Sequence, residues 1–368
     1  MLPLLLTGEV FFSGEGFSPG GRNDLHIRKE PSVGDRSVKR VTINDIARLA
    51  GVSKTTVSHV INNTRFVEDV TRQRVQQAIE EYGYQPSLVA RSLTTQRTET
   101  IGVIVSDMTN DFFGEMLRGI EDVLQPHNYS ILVCNTDEIL EREDHYINLL
   151  LRQRVDGIIA AATSKRWEAL SRADTLHTPL VLVDRRYNGF DYPYVGVKNF
   201  EGAYLGTRYL IEHGYRQIGI LAGFQRLSTM RDRLTGFKHA MQDAGIPLPE
   251  EWVIESELNI PAACAAAQKI LTLPNPPKAL FMSNNLLSVG TLMAVRDLGL
   301  VTPGDVALIG FDDHPWAEVA NPPLTVVRQP SRLLGQKAAE NLLHLINDED
   351  VEEPEIMLDC ELVVRQSC

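Results

Sequence analysis

Cysteine is scarce in this chain: four in 368 residues, at positions 134, 264, 360 and 368, with no CxxC pair. Thiols so scattered make neither a zinc nor a disulfide framework, and they fit a reducing compartment. Long apolar runs are lacking too. The opening "MLPLLLTGEVFF" is apolar but well short of the roughly 20 residues that a bilayer crossing needs. No Lys or Arg precedes it, so it lacks the positive start of a signal peptide. Residues 1–39 are therefore expected to be a disordered extension, and the protein to be cytoplasmic, away from membranes. Also absent are a P-loop, HExxH and a strand-linked GxGxxG. "GEGFSPGG" is Gly-rich but precedes no helix pattern. No nucleophile–base pair is visible, so no catalytic residue, metal or cofactor is expected, and the chain does not read as an enzyme.

What is present begins with uneven charge. The chain carries a net charge of -12, yet residues 36–97 hold ten Lys/Arg against five Asp/Glu, a local excess of +5 that leaves -17 for the rest. A small basic module on a large acidic body suggests a nucleic-acid contact attached to something soluble.

Within the basic module, "TINDIARLAGVSKTTVSHVIN" divides at Gly51. Thr42 can cap a first helix, with Ile43, Ile46, Ala47 and Ala50 on one face. Ser53 can cap a second, carrying Val57, Val60 and Ile61 inward. Small Ala47 permits a close crossing and Gly51 a tight turn, the helix-turn-helix pattern in which the second helix enters a major groove. Its outward residues are Lys54, Thr55, Ser58, His59 and Asn62, the types that read base edges and phosphates. A plain helical hairpin would show the same spacing. Against that, "TRQRVQQAIEEYGYQP" supplies a third amphipathic helix, with Val75, Ala78, Ile79 and Tyr82 apolar. "PSLVARSLTTQRT" follows as a short helix-compatible stretch.

Together, "TINDIARLAGVSKTTVSHVINNTRFV…YQPSLVARSL" closely resembles the N-terminal module of the lactose/galactose repressor (LacI/GalR) family of bacterial transcription regulators. The likeness extends from about Val41 to the C-terminus. It implies that Lys54, Thr55 and His59 are the base readers, with Thr42, Ser53, Ser58 and Asn62 completing the DNA-binding set. It also implies that "PSLVARSL" is a hinge helix whose Leu93 wedges into the minor groove of operator DNA. His59 departs from the arginine commoner in the family and is similar to the purine and ribose repressor branch. The resemblance implies a homodimer on a palindromic operator. The C-terminus "ELVVRQSC" reads as a strand without a leucine-heptad tail, which favours a dimer over a tetramer.

Beyond Thr98 the pattern becomes alternating apolar strands and amphipathic helices: "TIGVIVSD", "SILVCNT", "DGIIAAAT" and "PLVLVDR" in one series, then "QIGILAG", "KALFMSNN" and "VALIGFDD" in another. Buried parallel strands crossed by helices give doubly wound sheets. The expected fold is α/β, a helix-turn-helix domain followed by two periplasmic-binding-protein-like lobes. The expected division is 40–84 for the DNA-binding domain, 85–98 for the hinge and linker, and 99–368 for the core. Lobe 1 is placed at about 99–198 and 329–345, lobe 2 at about 199–326 and 354–368.

Ligands of such sheets bind outside the carboxyl ends of the strands. Those ends carry Ser106-Asp107, Asn135-Thr136, Asp184-Arg185, Asn284-Asn285 and Asp312-Asp313, with Arg231 and Arg233 nearby. Any one of these could merely cap a helix, but five together suggest a shared cleft. From the resemblance come the roles: Arg233, Asn284 and Asp312 as effector contacts from the second lobe, Asp184 and Phe113 from the first. Amides, carboxylates and an aromatic wall suit a small sugar or sugar acid. Purine-responsive members carry a second arginine six residues before Arg233, where this chain has Leu227. Leu258 and Asn259 stand where the family often has an aromatic. A purine effector is therefore the alternative. A transport-type sugar-binding protein shares the two lobes, but it would need an export signal and would lack the basic module.

Overall fold

A computed structural model describes residues 41–85, 97–161, 176–185 and 191–368. The extension expected at 1–39 and the hinge segment with Leu93 lie outside the described residues. The chain divides into two units that meet in sequence at Pro86 and Ser87.

The first unit holds three helices, α1 (Ile43–Ala50), α2 (Lys54–Asn62) and α3 (Asp69–Glu81). Thr42 starts α1 with a reciprocal cap: Asp45 N donates to Thr42 Oγ1, and Thr42 N donates to Asp45 Oδ2 at 3.0 Å. Gly51 ends it at φ 67°, a left-handed turn that glycine adopts without a Cβ penalty. Ser53 Oγ then accepts from Thr56 N at 3.0 Å and starts α2. Ile46, Ala47, Ala50, Val57, Val60, Val75 and Ala78 form a closed core. Tyr82, grouped with the apolar face of α3 from sequence, is exposed at its end, and Tyr84 packs on the core instead. The helix has finished by residue 82, so its periodicity no longer aims that side chain.

The second unit is two six-stranded sheets. In chain order the first lobe begins with β1 (Thr100–Val105), α4 (Asp111–Leu124), β2 (Ser130–Asn135), α5 (Leu140–Gln153), β3 (Gly157–Ala160), β4 (Leu180–Val183) and β5 (Tyr194–Val197). The second continues with α6 (Asn199–Glu212), β6 (Ile218–Ala222), α7 (Ser228–Asp243), β7 (Val253–Glu255) and α8 (Ile260–Leu271). It goes on through β8 (Ala279–Met282), α9 (Asn285–Asp297), β9 (Ala307–Phe311), α10 (Pro315–Val319) and β10 (Thr325–Arg328). Last come α11 (Ser331–Ile346), β11 (Glu355–Leu358) and β12 (Glu361–Val363). The sheet orders are β11-β5-β4-β3-β1-β2 and β12-β10-β9-β8-β6-β7, parallel except for the antiparallel β10–β12 pair.

Two expectations are corrected. The first series does not end at "PLVLVDR", because β5 and β11 extend that sheet. Residues 354–368 do not all belong to the second lobe: Glu355–Leu358 pairs in parallel with Tyr194–Val197 of the first sheet. Helix α11 also serves the first lobe. Its Leu334, Ala338 and Leu342 pack with Met116 and Ile120 of α4, and Gly119 and Gly335 leave no room for a Cβ where the two helices cross. Among the described residues the chain thus passes between lobes three times, at 198, 329–330 and 359–360. All three crossings leave from the β5/β11 and β10/β12 side of the sheets. Among the described residues no helix is long and apolar enough to cross a membrane.

Candidate nucleic-acid interface and interlobe cleft

In the first unit, Ser53, Lys54, Thr55 and Asn62 are exposed and Ser58 and His59 half-buried, on the side of α2 away from Val57 and Val60. Helix α2 contains no acidic residue. Its first turn therefore offers a lysine, hydroxyls and the positive end of the helix dipole without an opposing carboxylate. Two side chains are held in place: His59 Nδ1 lies 2.8 Å from Thr64 Oγ1, and Asn62 Nδ2 donates to Ser58 Oγ at 3.3 Å. Fixing Nδ1 orients the ring and leaves Nε2 at its outer edge. Thr42 is exposed, but its hydroxyl is engaged in the α1 cap, donating to Asp45 Oδ2 at 2.7 Å.

In the second unit the strand ends meet across a cleft lined by Phe113, Asp184, Arg233, Asn284 and Asp312, all five expected site residues of the body. Its cavity volume is about 70 Å³, smaller than the roughly 300–1,000 Å³ of common small-molecule sites. Ser106, Asp107, Asn110 and Glu138 line the first-lobe side, and Thr229, Met230 and Gln329 the second. Phe112 and Phe113 meet edge to face, centroids 5.0 Å apart, and form an aromatic wall.

Arg233, 2% exposed, is the most elaborately held of these groups. Its Nε donates to Asn199 Oδ1 and its Nη1 to Ser283 O, both at 2.7 Å. The guanidinium lies 3.7 Å over the Phe311 ring, with Asp312 Oδ2 4.0 Å from Nη1. Burial depresses its pKa, and Asp312 and Asp184 oppose that shift. Asp312 accepts from Gln329 Nε2, and its Oδ2 accepts from Asn285 N at 3.3 Å. Asp184 is buried beside Arg185, Nε to Oδ2 3.4 Å. Burial pushes the Asp184 carboxyl pKa up, against the pull of Arg185 and Arg233. Arg185 also forks onto Glu138 through two 2.7 Å bonds. Asn284 caps α9 by accepting from Leu286 N at 2.8 Å.

Other strand-end residues go elsewhere. Arg231 is 45% exposed and does not line the cleft, because two positions along α7 turn a side chain by roughly 200°. Asn135 Oδ1 accepts from Met108 N and supports a loop, and Asp313 pairs with Arg328 and Arg365. Sequence reasoning missed Glu138, Thr229 and Gln329. The acidic residue two positions past Thr136 was the available signal for Glu138, whereas Gln329 sits at a lobe crossing that only the sheet topology reveals.

The description "Bacterial regulatory proteins, lacI family" matches residues 42–87, and "Periplasmic binding protein-like domain" matches residues 207–368. The HTH-type transcriptional repressor PurR of Vibrio vulnificus (strain CMCP6) is 39% identical over 327 residues, 89% of this chain and 98% of that protein. Among solved structures, a putative ribose operon repressor from Burkholderia thailandensis is 34% identical at TM-score 0.67, covering 73% of this chain and 99% of that one. The lac repressor dimer bound to operator and the anti-inducer ONPF aligns at TM-score 0.81 and 27% identity, over 89% and 99% of the two chains. Its helix-turn-helix unit and its two-lobed body each carry the matching pattern, and the chain belongs to the lacI family of bacterial regulatory proteins, which are DNA-binding transcriptional regulators.

Proposed function

We propose that the protein is a cytoplasmic repressor that binds a near-palindromic operator as a homodimer and is switched by a small sugar in the interlobe cleft. Lys54, Thr55 and His59 are the base readers in this reading, Thr42, Ser53, Ser58 and Asn62 support them, and Leu93 is the minor-groove wedge. The observation that carries the ligand reading is the pair of buried aspartates, Asp184 and Asp312, brought from two lobes to one cleft with Arg233 and an aromatic wall. Carboxylates and amides can accept from and donate to adjacent hydroxyls, and Phe113 suits the apolar face of a sugar ring. The carboxylates at 107, 138, 184 and 312 outnumber the arginines at 185 and 233, which favours a neutral sugar over a sugar acid. A ligand switches DNA affinity only through different affinity for two lobe arrangements, typically ~1–3 kcal/mol of coupling.

A purine is the second reading, favoured by the relative named PurR. Against it, Leu227 is buried and apolar and Leu258 offers no ring to stack on a base. A thermal-shift panel of ribose, other aldoses, gluconate, hypoxanthine and guanine decides between them. Stabilisation by a neutral sugar is expected; stabilisation by purines alone overturns the sugar reading. Footprinting on genomic fragments should show two half-sites about one helical turn apart, and a single unrepeated half-site would reject the dimer.

A further inference from the structure

We infer that Asn110 and Asn285 form a latch that holds the two lobes in register and so sets how far the cleft between them closes. The inference rests on reading that cleft as a ligand site, though not on which ligand it takes. Asn110 precedes α4 of the first lobe, and Asn285 is the first residue of α9 in the second. Their amides bond each other twice: Asn110 Nδ2 donates to Asn285 Oδ1 at 3.3 Å, and Asn285 Nδ2 donates to Asn110 Oδ1 at 3.1 Å. The two residues are 9% and 5% exposed. The two buried amide nitrogens thus find in each other's oxygens the acceptors that burial would otherwise leave unmade.

Helix capping does not require this pair. Asn110 Oδ1 accepts from Phe112 N at 3.1 Å, a task that serine performs as well. The bonds into the other lobe need the whole amide, whose Nδ2 donates to Asn285 and whose Oδ1 accepts from it besides capping α4. Both ends of the latch lead straight to the cleft. Phe112 and Phe113 follow Asn110, while Asn285 N donates to Asp312 and Asn284 precedes it. A second contact joins the same helix start to the second lobe, Asp111 Oδ2 to His314 Nδ1 at 3.4 Å. A change of lobe angle must part the amides and expose both buried groups at once, so the lobes move between discrete positions rather than drifting.

The lobe crossings lie on one side of the sheets, so opening registers at the far edges, β2 and β7. Spin labels on genetically encoded keto amino acids at Glu141, just past β2, and Glu255, at the end of β7, would report it by pulsed electron resonance. Both positions are exposed. The measurement uses the full-length protein with no sugar or purine added. Asn285→Leu keeps the side chain's size without its donor or acceptor, and the label distances are expected to lengthen and broaden. Asn110→Ser keeps the cap but not the reach, and the same shift is expected. The double variant should move no further than either single one. Melting curves check that each variant folds, and if Asn285→Leu does not, Asn110→Ser alone decides. Distances unchanged in the folded variants would overturn the latch. A shift in a protein that no sugar or purine stabilises would uphold the latch and sink the ligand reading.

Discussion

Asp184 and Asp312 stand at matching places in the two sheets. Each is the first residue past the third strand of its sheet order, and each has left-handed backbone, at φ 65° and 78°. Such a conformation in a residue other than glycine costs on the order of 1 kcal/mol and persists only where the surroundings enforce it. Here Asp184 N donates to Val195 O and Asp312 N to Val327 O, each into the neighbouring strand. The repeated strain puts one carboxylate from each lobe into the same cleft, with Arg233 in electrostatic reach of both.

Mutation of Asp184 should move stability and binding in opposite directions. Burial raises the Asp184 pKa. A carboxyl whose folded pKa lies above its unfolded value stabilises the fold relatively at low pH, and that contribution is lost as pH rises through the folded pKa. At pH above the usual carboxylate range the buried Asp184 is therefore a net cost to folding. Asp184→Asn, which tolerates left-handed backbone, should raise the melting temperature at pH 7 and leave it nearly unchanged near pH 3. The same variant should weaken sugar binding. Melting curves across pH check it, and a lower melting temperature at pH 7 would show that the neighbouring arginines fully compensate the charge.

Arg233→Ala and Asp312→Ala should each reduce affinity for the sugar that the thermal-shift panel identifies by about tenfold or more, from a loss of roughly 1.5–3 kcal/mol. DNA binding without that sugar should persist. Arg233→Ala should also lower the melting temperature, because it strands Asn199 Oδ1 and Ser283 O and uncovers the Phe311 ring. Arg233→Lys restores the charge but not the fork, and should recover stability more than affinity. Isothermal titration beside melting curves separates the effects. Unchanged affinity in the folded fraction would show that Arg233 only braces the lobe.

The sequence foretold these elements unevenly, for physical reasons. The three helices of the first unit were legible because caps at Thr42 and Ser53, the turn at Gly51 and the apolar spacing all act within a few residues. The central strands were legible as continuous apolar runs such as "TIGVIV" and "ALIGF". Strands β11 and β12 are four and three residues long, and their partners lie far along the chain, so no local pattern assigns Glu355–Leu358 to the first lobe. The same limit hid Gln329 and the Asn110–Asn285 pair. Each is ordinary in sequence, and its meaning arises only when two lobes meet.

The recognition helix yields the last prediction, in which two substitutions divide affinity from specificity. Lys54 is exposed at the first turn of α2 with no acidic neighbour on that helix. If it met only phosphate, Lys54→Ala would weaken operator and random DNA alike and lower the salt slope by about 1. If it also reads a base edge, as its place in the resemblance implies, the operator should lose roughly 1–3 kcal/mol more than random DNA. His59 is half-buried and oriented through Thr64, so it is positioned rather than free to follow a phosphate. His59→Ala should relax preference at one base position per half-site with little change in non-specific affinity. Thr64→Val, which removes only the orienting hydroxyl, should produce a weaker version of the same loss. Fluorescence anisotropy on operator and random duplexes across salt measures all three. Equal losses on both duplexes for His59→Ala would place that residue against the backbone instead of the bases.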